Sequence, residues 1–199
     1  MIGIVCDAQA LTLLNEMLGE VEQIDPPESG FYLAFEDDAL CLHRAGDRHG
    51  VSVALAEIER RLSGPFLLGR ACGLPGPGLR VLDAMGGLGV DALALARRGA
   101  HVDVVEREPM LWALLVDLIR RAGASVTATL ADSTALLQRG ADYDVIYLDP
   151  MFPARRKKAL PGKRMQYLSE LLAEATGFDP EIIPLAQQSA RSRVCLLYT

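Results

Sequence analysis

Between residues 79 and 148 the chain alternates short runs of Val, Leu, Ile and Tyr with stretches of helical spacing, and no other feature restricts its fold as strongly. Leu79 to Asp83, His101 to Val105, Ser125 to Leu130 and Tyr143 to Leu148 read as strands. Val90 to Arg98, Pro109 to Ala122 and Ser133 to Arg139 read as the helices between them. Strands joined through helices pair in parallel, and near-continuous apolar strands are covered on both faces. The expectation is therefore an α/β fold with a doubly wound, mostly parallel sheet. A helix over Lys163 to Ala175 and a fifth strand at Val194 to Tyr198 extend the pattern.

The segment before this region is organised differently. Gly3 to Cys6, Phe31 to Phe35 and Ala39 to His43 read as strands, with Glu36-Asp37-Asp38 as a hairpin turn and a helix over Ala8 to Leu18. A helical pattern over Val51 to Leu62 closes at Gly64-Pro65. Gly73-Leu74-Pro75-Gly76-Pro77-Gly78 admits neither a helix nor an interior strand, so it reads as a linker. It divides a small N-terminal α+β portion, 1–77, from the α/β domain, 78–199.

Half the residues are apolar and mean hydropathy is +0.19, which excludes a disordered chain. The longest apolar run, Met110 to Val116, is far short of the roughly twenty residues that span a bilayer. The first residues lack the basic start and long apolar stretch of a signal peptide, so a cytoplasmic protein without a membrane partner is expected. Cys6, Cys41, Cys72 and Cys195 stand apart, and His43, His49 and His101 show no ligand spacing, so no metal is expected. The net charge of -6 argues against a polyanionic partner until it is resolved by position. Residues 1–50 hold ten acids against Arg44 and Arg48, whereas 150–169 hold Arg155, Arg156, Lys157, Lys158, Lys163 and Arg164 with no acid. One basic segment in an acidic chain suits a selective contact with phosphates, although a solvated helix start is the plain alternative.

Ligands of doubly wound sheets sit beyond the carboxyl ends of the strands, and four ends here carry a signal. The first runs Asp83-Ala84-Met85-Gly86-Gly87-Leu88-Gly89-Val90-Asp91-Ala92, where Gly86, Gly87 and Gly89 allow a tight turn and close backbone approach. The second ends in Glu106, 20 residues after Gly86, where a carboxylate can accept both hydroxyls of a ribose. The third, Asp132-Ser133, serves equally well as a helix N-cap. The fourth is Asp149-Pro150-Met151-Phe152-Pro153. An exocyclic amine of a base is a poor nucleophile until acceptors take its hydrogens and aim its lone pair. Asp149 and the Pro150 carbonyl are suited to that task and Phe152 to stacking on the base; the plain alternative is a stiffened strand exit with Phe152 in the core.

Gly87-Leu88-Gly89-Val90-Asp91-Ala92 also satisfies a dinucleotide fingerprint, which keeps a nicotinamide-dependent oxidoreductase as an alternative. Asp83 favours S-adenosylmethionine, because an acid there repels a second phosphate and attracts an ammonium and a sulfonium.

These segments, with Glu106-Arg107-Glu108-Pro109 and Tyr147 to Pro153 followed by Arg155 to Lys158, make residues 79–194 resemble the RsmJ-type 16S ribosomal RNA guanine-N2 methyltransferases. The resemblance implies a Rossmann-like class I methyltransferase domain behind a small N-terminal α+β portion. It implies methyl transfer from S-adenosylmethionine to N2 of a guanine, with 16S ribosomal RNA or the small ribosomal subunit as partner. Carried onto this chain, it assigns catalysis to Asp149, Pro150 and Phe152. Cofactor binding falls to Asp83, Ala84, Gly86, Gly87, Gly89 and Asp91, with Glu106, Arg107, Asp132 and Ser133. RNA binding falls to Arg155, Arg156, Lys157, Lys158, Lys163 and Arg164. The chain departs from the family at Met85-Gly86, where Thr-Ala is usual, and at Val90, where Arg is usual. Class I sheets have seven strands and five are counted, so a C-terminally shortened sheet is expected, with an edge that invites a second copy. A non-catalytic protein that retains the cofactor fold is a further alternative.

Overall fold

The computed structural model of the chain describes residues 1–75, 78–140, 142–150, 162–173 and 179–197. These residues form two compact units, one holding residues 1–52 and 162–173, the other 53–150 and 179–197. The division differs from the 77/78 boundary read from the linker. Val51 still pairs with Leu42 of the first sheet, whereas Val53, Ile58, Phe66, Leu68 and Cys72 bury their side chains in the core of the parallel sheet.

The first unit begins with β1 (Ile2–Val5), α1 (Ala8–Leu18), β2 (Val21–Gln23), β3 (Phe31–Glu36) and β4 (Ala39–Arg44). Its sheet has the order β2-β1-β3-β4. The hairpin forms as expected: Glu36 pairs with Ala39, and Asp37 and Asp38 take φ of 49° and 60°. A two-residue turn needs that left-handed backbone, and Asp tolerates it better than most residues. The Asp7 side chain caps α1 by accepting from the Ala10 N–H at 2.7 Å. β2 escapes sequence reading because its three residues, Val-Glu-Gln, are too few and too polar to show alternation.

The second unit opens with α2 (Leu55–Leu62) and α3 (Leu67–Cys72). α2 starts later than the pattern from Val51 predicts, since Val51 is held in a strand pairing, and the Glu57 carboxylate then accepts from the Ala54 N–H at 3.1 Å. There follow β5 (Arg80–Asp83), α4 (Val90–Arg97), β6 (His101–Glu106), α5 (Pro109–Ala122), β7 (Val126–Leu130), α6 (Ser133–Gln138) and β8 (Tyr143–Leu148). α7 (Lys163–Leu171) belongs to the first unit, and α8 (Ile182–Ser189) with β9 (Ala190–Leu196) completes the second. α8 was hidden from the pattern by Pro184, which it tolerates in its first turn because N–H groups there have no partner within the helix.

The five strands of this unit are all parallel, in the order β7-β6-β5-β8-β9. The doubly wound fold read from the sequence is thus the fold observed, with the reversal of strand order between β5 and β8. Val81, Leu82, Val145, Ile146 and Leu148 of that central pair are fully buried, as strands covered on both faces must be. Among the described residues no helix is long and apolar enough to cross a membrane.

One acid is buried far from the strand ends. Asp117 of α5 has no exposed surface, and it accepts from Arg121 Nε at 2.7 Å and from Arg120 at 3.1 Å. Arg121 also donates to the Val53 carbonyl at 3.0 Å, which ties the chain leading into α2 to α5. Asp117→Ala removes the buried carboxylate that Arg120 and Arg121 share, and urea unfolding is expected to show a loss of about 3 kcal/mol.

Candidate active site

Parallel strands align their carboxyl ends, and ligands collect there where strand order reverses. β5 ends in Asp83, β6 ends in Glu106, and β8 runs into Asp149. Asp83 and Tyr147 are register partners across the β5/β8 pair that flanks the reversal. The Ala84 N–H continues the ladder by donating to the Tyr147 carbonyl at 3.0 Å.

The glycine turn between β5 and α4 is packed hard against β6 and α5. A Cβ on Gly86 would lie 2.3 Å from Val104 Cγ1, inside the strand, and the Gly86 N–H donates to the Val105 carbonyl at 2.9 Å. Gly89 takes φ of 78° at the start of α4, where a Cβ would also meet Leu115. Gly89 therefore requires glycine, whereas at Gly86 a Cβ fits only if the Val104 side chain shifts.

Glu106 braces this turn. One carboxylate oxygen accepts from the Gly87 N–H at 2.7 Å and the other from the Glu108 N–H at 2.8 Å. Each oxygen keeps lone-pair capacity for a ligand hydroxyl, so the brace and the ribose contact expected from sequence are compatible. Burial raises its pKa, while those N–H donors and the Arg107 charge oppose the rise. Arg107 itself is exposed.

Asp83 is 2% exposed, and among the described residues its side chain accepts a 3.2 Å hydrogen bond from the Met85 N–H. Burial pushes its pKa up to about 8, and the charges of Asp91, Asp149 and Glu106 add to the rise. Asp91, in the first turn of α4, accepts from Arg61 Nε at 2.5 Å and from the Tyr147 hydroxyl at 2.8 Å. Asp149 is half-buried; burial first and Asp91 second raise its pKa, against the Tyr147 hydroxyl and the Arg61 charge. Pro150 beside it is buried.

On the other side of the reversal, Asp132 is the N-cap of α6, accepting from the Thr134 N–H at 2.7 Å. The Ser133 hydroxyl donates to the carbonyl of buried Ala84, which ties the third strand end to the first. The structure thus brings Asp83, Ala84, Gly86, Gly87, Gly89, Asp91, Glu106, Asp132, Ser133, Asp149 and Pro150 to one end of one sheet. Phe152, Arg155, Arg156, Lys157 and Lys158 lie outside the described residues. Lys163 and Arg164 stand in the first turn of α7, in the first unit. There Lys163 donates to the His49 carbonyl and lies 3.6 Å from Asp47, and Arg164 reaches the Ser52 carbonyl at 3.5 Å.

Sequence reading missed Arg61 and Tyr147. Arg61 lies 30 residues before Asp91 on a different helix, a separation that no local pattern reveals. Tyr147 did carry a signal, because strand residues two apart share a face and Tyr147 precedes Asp149 by two.

The model of the SAM-dependent methyltransferase family matches residues 20–197. The ribosomal RNA small subunit methyltransferase J of Neisseria meningitidis serogroup C is 33% identical over 94% of this chain and 80% of its own length. That of Alkalilimnicola ehrlichii is 36% identical over 85% of this chain and 73% of its own. Among solved structures, a SAM-dependent methyltransferase from Neisseria gonorrhoeae superposes with a TM-score of 0.71 at 26% identity, covering 98% of this chain and 83% of that one.

The Asp83 shift sets a pH dependence of stability. Between the ordinary carboxylate pKa and about 8 the folded state retains a proton that the unfolded chain has released, so stability falls as pH rises through that window. Asp83→Asn is expected to flatten the fall. In thermal melts its gain over wild type should be near zero around pH 3 and largest above pH 8.

Proposed function

Given that the chain belongs to the SAM-dependent methyltransferases, and within them to the RsmJ-type ribosomal RNA small-subunit family, we propose that it methylates the exocyclic N2 amine of a guanine in 16S ribosomal RNA. The observation that carries the reading is the placement of Asp149 and buried Pro150 at the end of β8, beside the strand-order reversal and next to the braced glycine turn.

The residues at the strand ends suit S-adenosylmethionine. A cluster of carboxylates fits a ligand carrying an ammonium and a sulfonium, and it repels the two phosphates of a dinucleotide. The tight turn at Gly86 packs on β6 and so seats the start of α4 at the strand ends. Asp83 faces the place for an ammonium, Glu106 keeps lone pairs for the ribose, and Asp91, Arg107, Asp132 and Ser133 flank them. When bound, the cofactor supplies an electrophilic methyl group on a good leaving group.

Guanine N2 donates its lone pair into the ring, and its two hydrogens need acceptors before that pair is free to attack. Asp149 takes one hydrogen and the Pro150 carbonyl the other, which turns the lone pair out of conjugation and toward the methyl group. The amine nitrogen would gain positive charge as the methyl group leaves sulfur with the bonding pair staying on the sulfur, and ionised Asp149 would stabilise that charge and accept the released proton. Its raised pKa improves it as a proton acceptor near neutrality. Phe152 is placed by sequence to stack on the base, and Arg155 to Lys158 with Lys163 and Arg164 to meet phosphates of the RNA.

Transfer of labelled methyl from S-adenosylmethionine to 16S RNA or 30S particles tests the reading, with nucleoside digestion and mass spectrometry to identify N2-methylguanosine. Asp149→Ala is expected to slow transfer by about 100-fold or more. Undiminished transfer in that variant removes Asp149 from its role, and a different methylated nucleoside removes the guanine-N2 assignment. Calorimetry separates the cofactors: S-adenosylhomocysteine should bind and NAD should not. At pH 7 that binding should also release a proton, since the ligand ammonium favours ionised Asp83. Heats that do not vary with buffer ionisation enthalpy would remove Asp83 from the ammonium site.

A further inference from the structure

Asp91 is held more firmly than a surface acid in a first helical turn requires. Arg61 grips it with two groups, Nε to Oδ1 at 2.5 Å and a terminal nitrogen to Oδ2 at 3.2 Å. The Tyr147 hydroxyl donates to the same Oδ2 at 2.8 Å. A fork of this kind fixes both the charge and the orientation of a carboxylate.

A plain ion pair between α2 and α4 explains Arg61 and Asp91 alone, but it leaves Tyr147 without a reason. Tyr147 is 1% exposed on a central strand, where Val, Ile or Leu would fill the same core without bringing a hydroxyl that must find a partner. That hydroxyl reaches the cluster from the end of β8, two residues before Asp149, which follows the strand. Facing Asp149 among the described residues are Asp91 from α4, Asp83 from β5, Tyr147 from its own strand and Arg61 from α2. Of the two acids among those four, Asp91 is the one the fork compensates, and without the fork it would crowd the one carboxylate that the reaction needs ionised.

We propose that Arg61 and Tyr147 are positioning residues for the reaction at Asp149, acting through Asp91: they neutralise and orient Asp91 so that Asp149 stands ionised before the acceptor amine. The inference rests on the reading of Asp149 as the amine acceptor. Two further facts support it. Burial and the surrounding carboxylates keep the Tyr147 phenol protonated far above neutral pH, so it is a donor at every working pH. Arg61 opposes the rise in the Asp149 pKa through its charge and Tyr147 through its hydroxyl, which fixes the direction in which their loss acts.

Removing Arg61 exposes Asp149 to the bare charge of Asp91, so Asp149 protonates at higher pH. In single-turnover methyl transfer, the acid limb of the rate profile for Arg61→Ala should move up by about one unit, with a larger loss at pH 6 than at pH 8.5. Arg61→Lys should restore most of that limb, because it returns the charge without the fork. Tyr147→Phe should move it the same way by less. A uniform loss at every pH would overturn the inference and leave Arg61 as a structural tie.

The titration of Asp149 itself, read by carboxyl 13C NMR in aspartate-labelled protein and assigned with Asp149→Asn, provides a readout without turnover. An upward midpoint in Arg61→Ala supports the inference, and an unchanged one overturns it. If Arg61→Ala does not fold, Arg61→Lys and Tyr147→Phe carry the same comparison. Wild-type protein that binds S-adenosylhomocysteine but methylates no guanine defeats the proposed function, while the NMR titration still decides whether Arg61 controls Asp149.

Discussion

Like charges gathered at the end of one sheet have to be compensated before anything else in this unit can be built. Asp83, Glu106, Asp91 and Asp149 come together because parallel strands end side by side, and each is compensated differently. Glu106 is held by two backbone N–H groups, which at the same time lock the glycine turn. Asp91 is held by a guanidinium and a phenol. Asp83, buried with a long hydrogen bond from the Met85 N–H, is left to take up a proton. Asp149 stays half-buried, with the Tyr147 hydroxyl and the Arg61 charge opposing the rise in its pKa.

This compensation links local chemistry to the fold. The brace at Glu106 works only because the chain at Gly86 approaches β6 within the space that a methyl group would fill. The fork at Asp91 works only because α2 packs its apolar face into the core of the parallel sheet, which delivers Arg61 to the start of α4. A charge-bearing site of this kind resists small changes, since loss of one partner leaves a carboxylate unpaired where solvent cannot fully relieve it.

Much of this was legible in advance. The alternation from residue 79 onward predicts five strands, and all five are found, the last beginning earlier than expected at Ala190, with candidate site residues at the ends of the other four. Elements that rest on few or mixed residues were missed. β2 is three residues long, α3 six, and α8 carries a proline in its first turn. The boundary of the second unit was also misplaced by following the Gly-Pro linker. Composition marks where a chain turns, but the burial of Ile58, Phe66 and Leu68 decides to which core a helix belongs.

The sequence by itself determined the parallel α/β sheet, the identity of the acids at its strand ends and the likeness to the RsmJ-type methyltransferases, because period, glycine spacing and the Asp149-Pro150 pair are local properties of the chain. Only the tertiary structure decided how those acids are used. That Glu106 braces a turn, that Lys163 faces Asp47, and that Arg61 and Tyr147 meet on Asp91 depend on contacts between residues 19 to 116 positions apart. Electrostatic and hydrogen-bond partners are chosen by distance in space, to which linear spacing gives no measure.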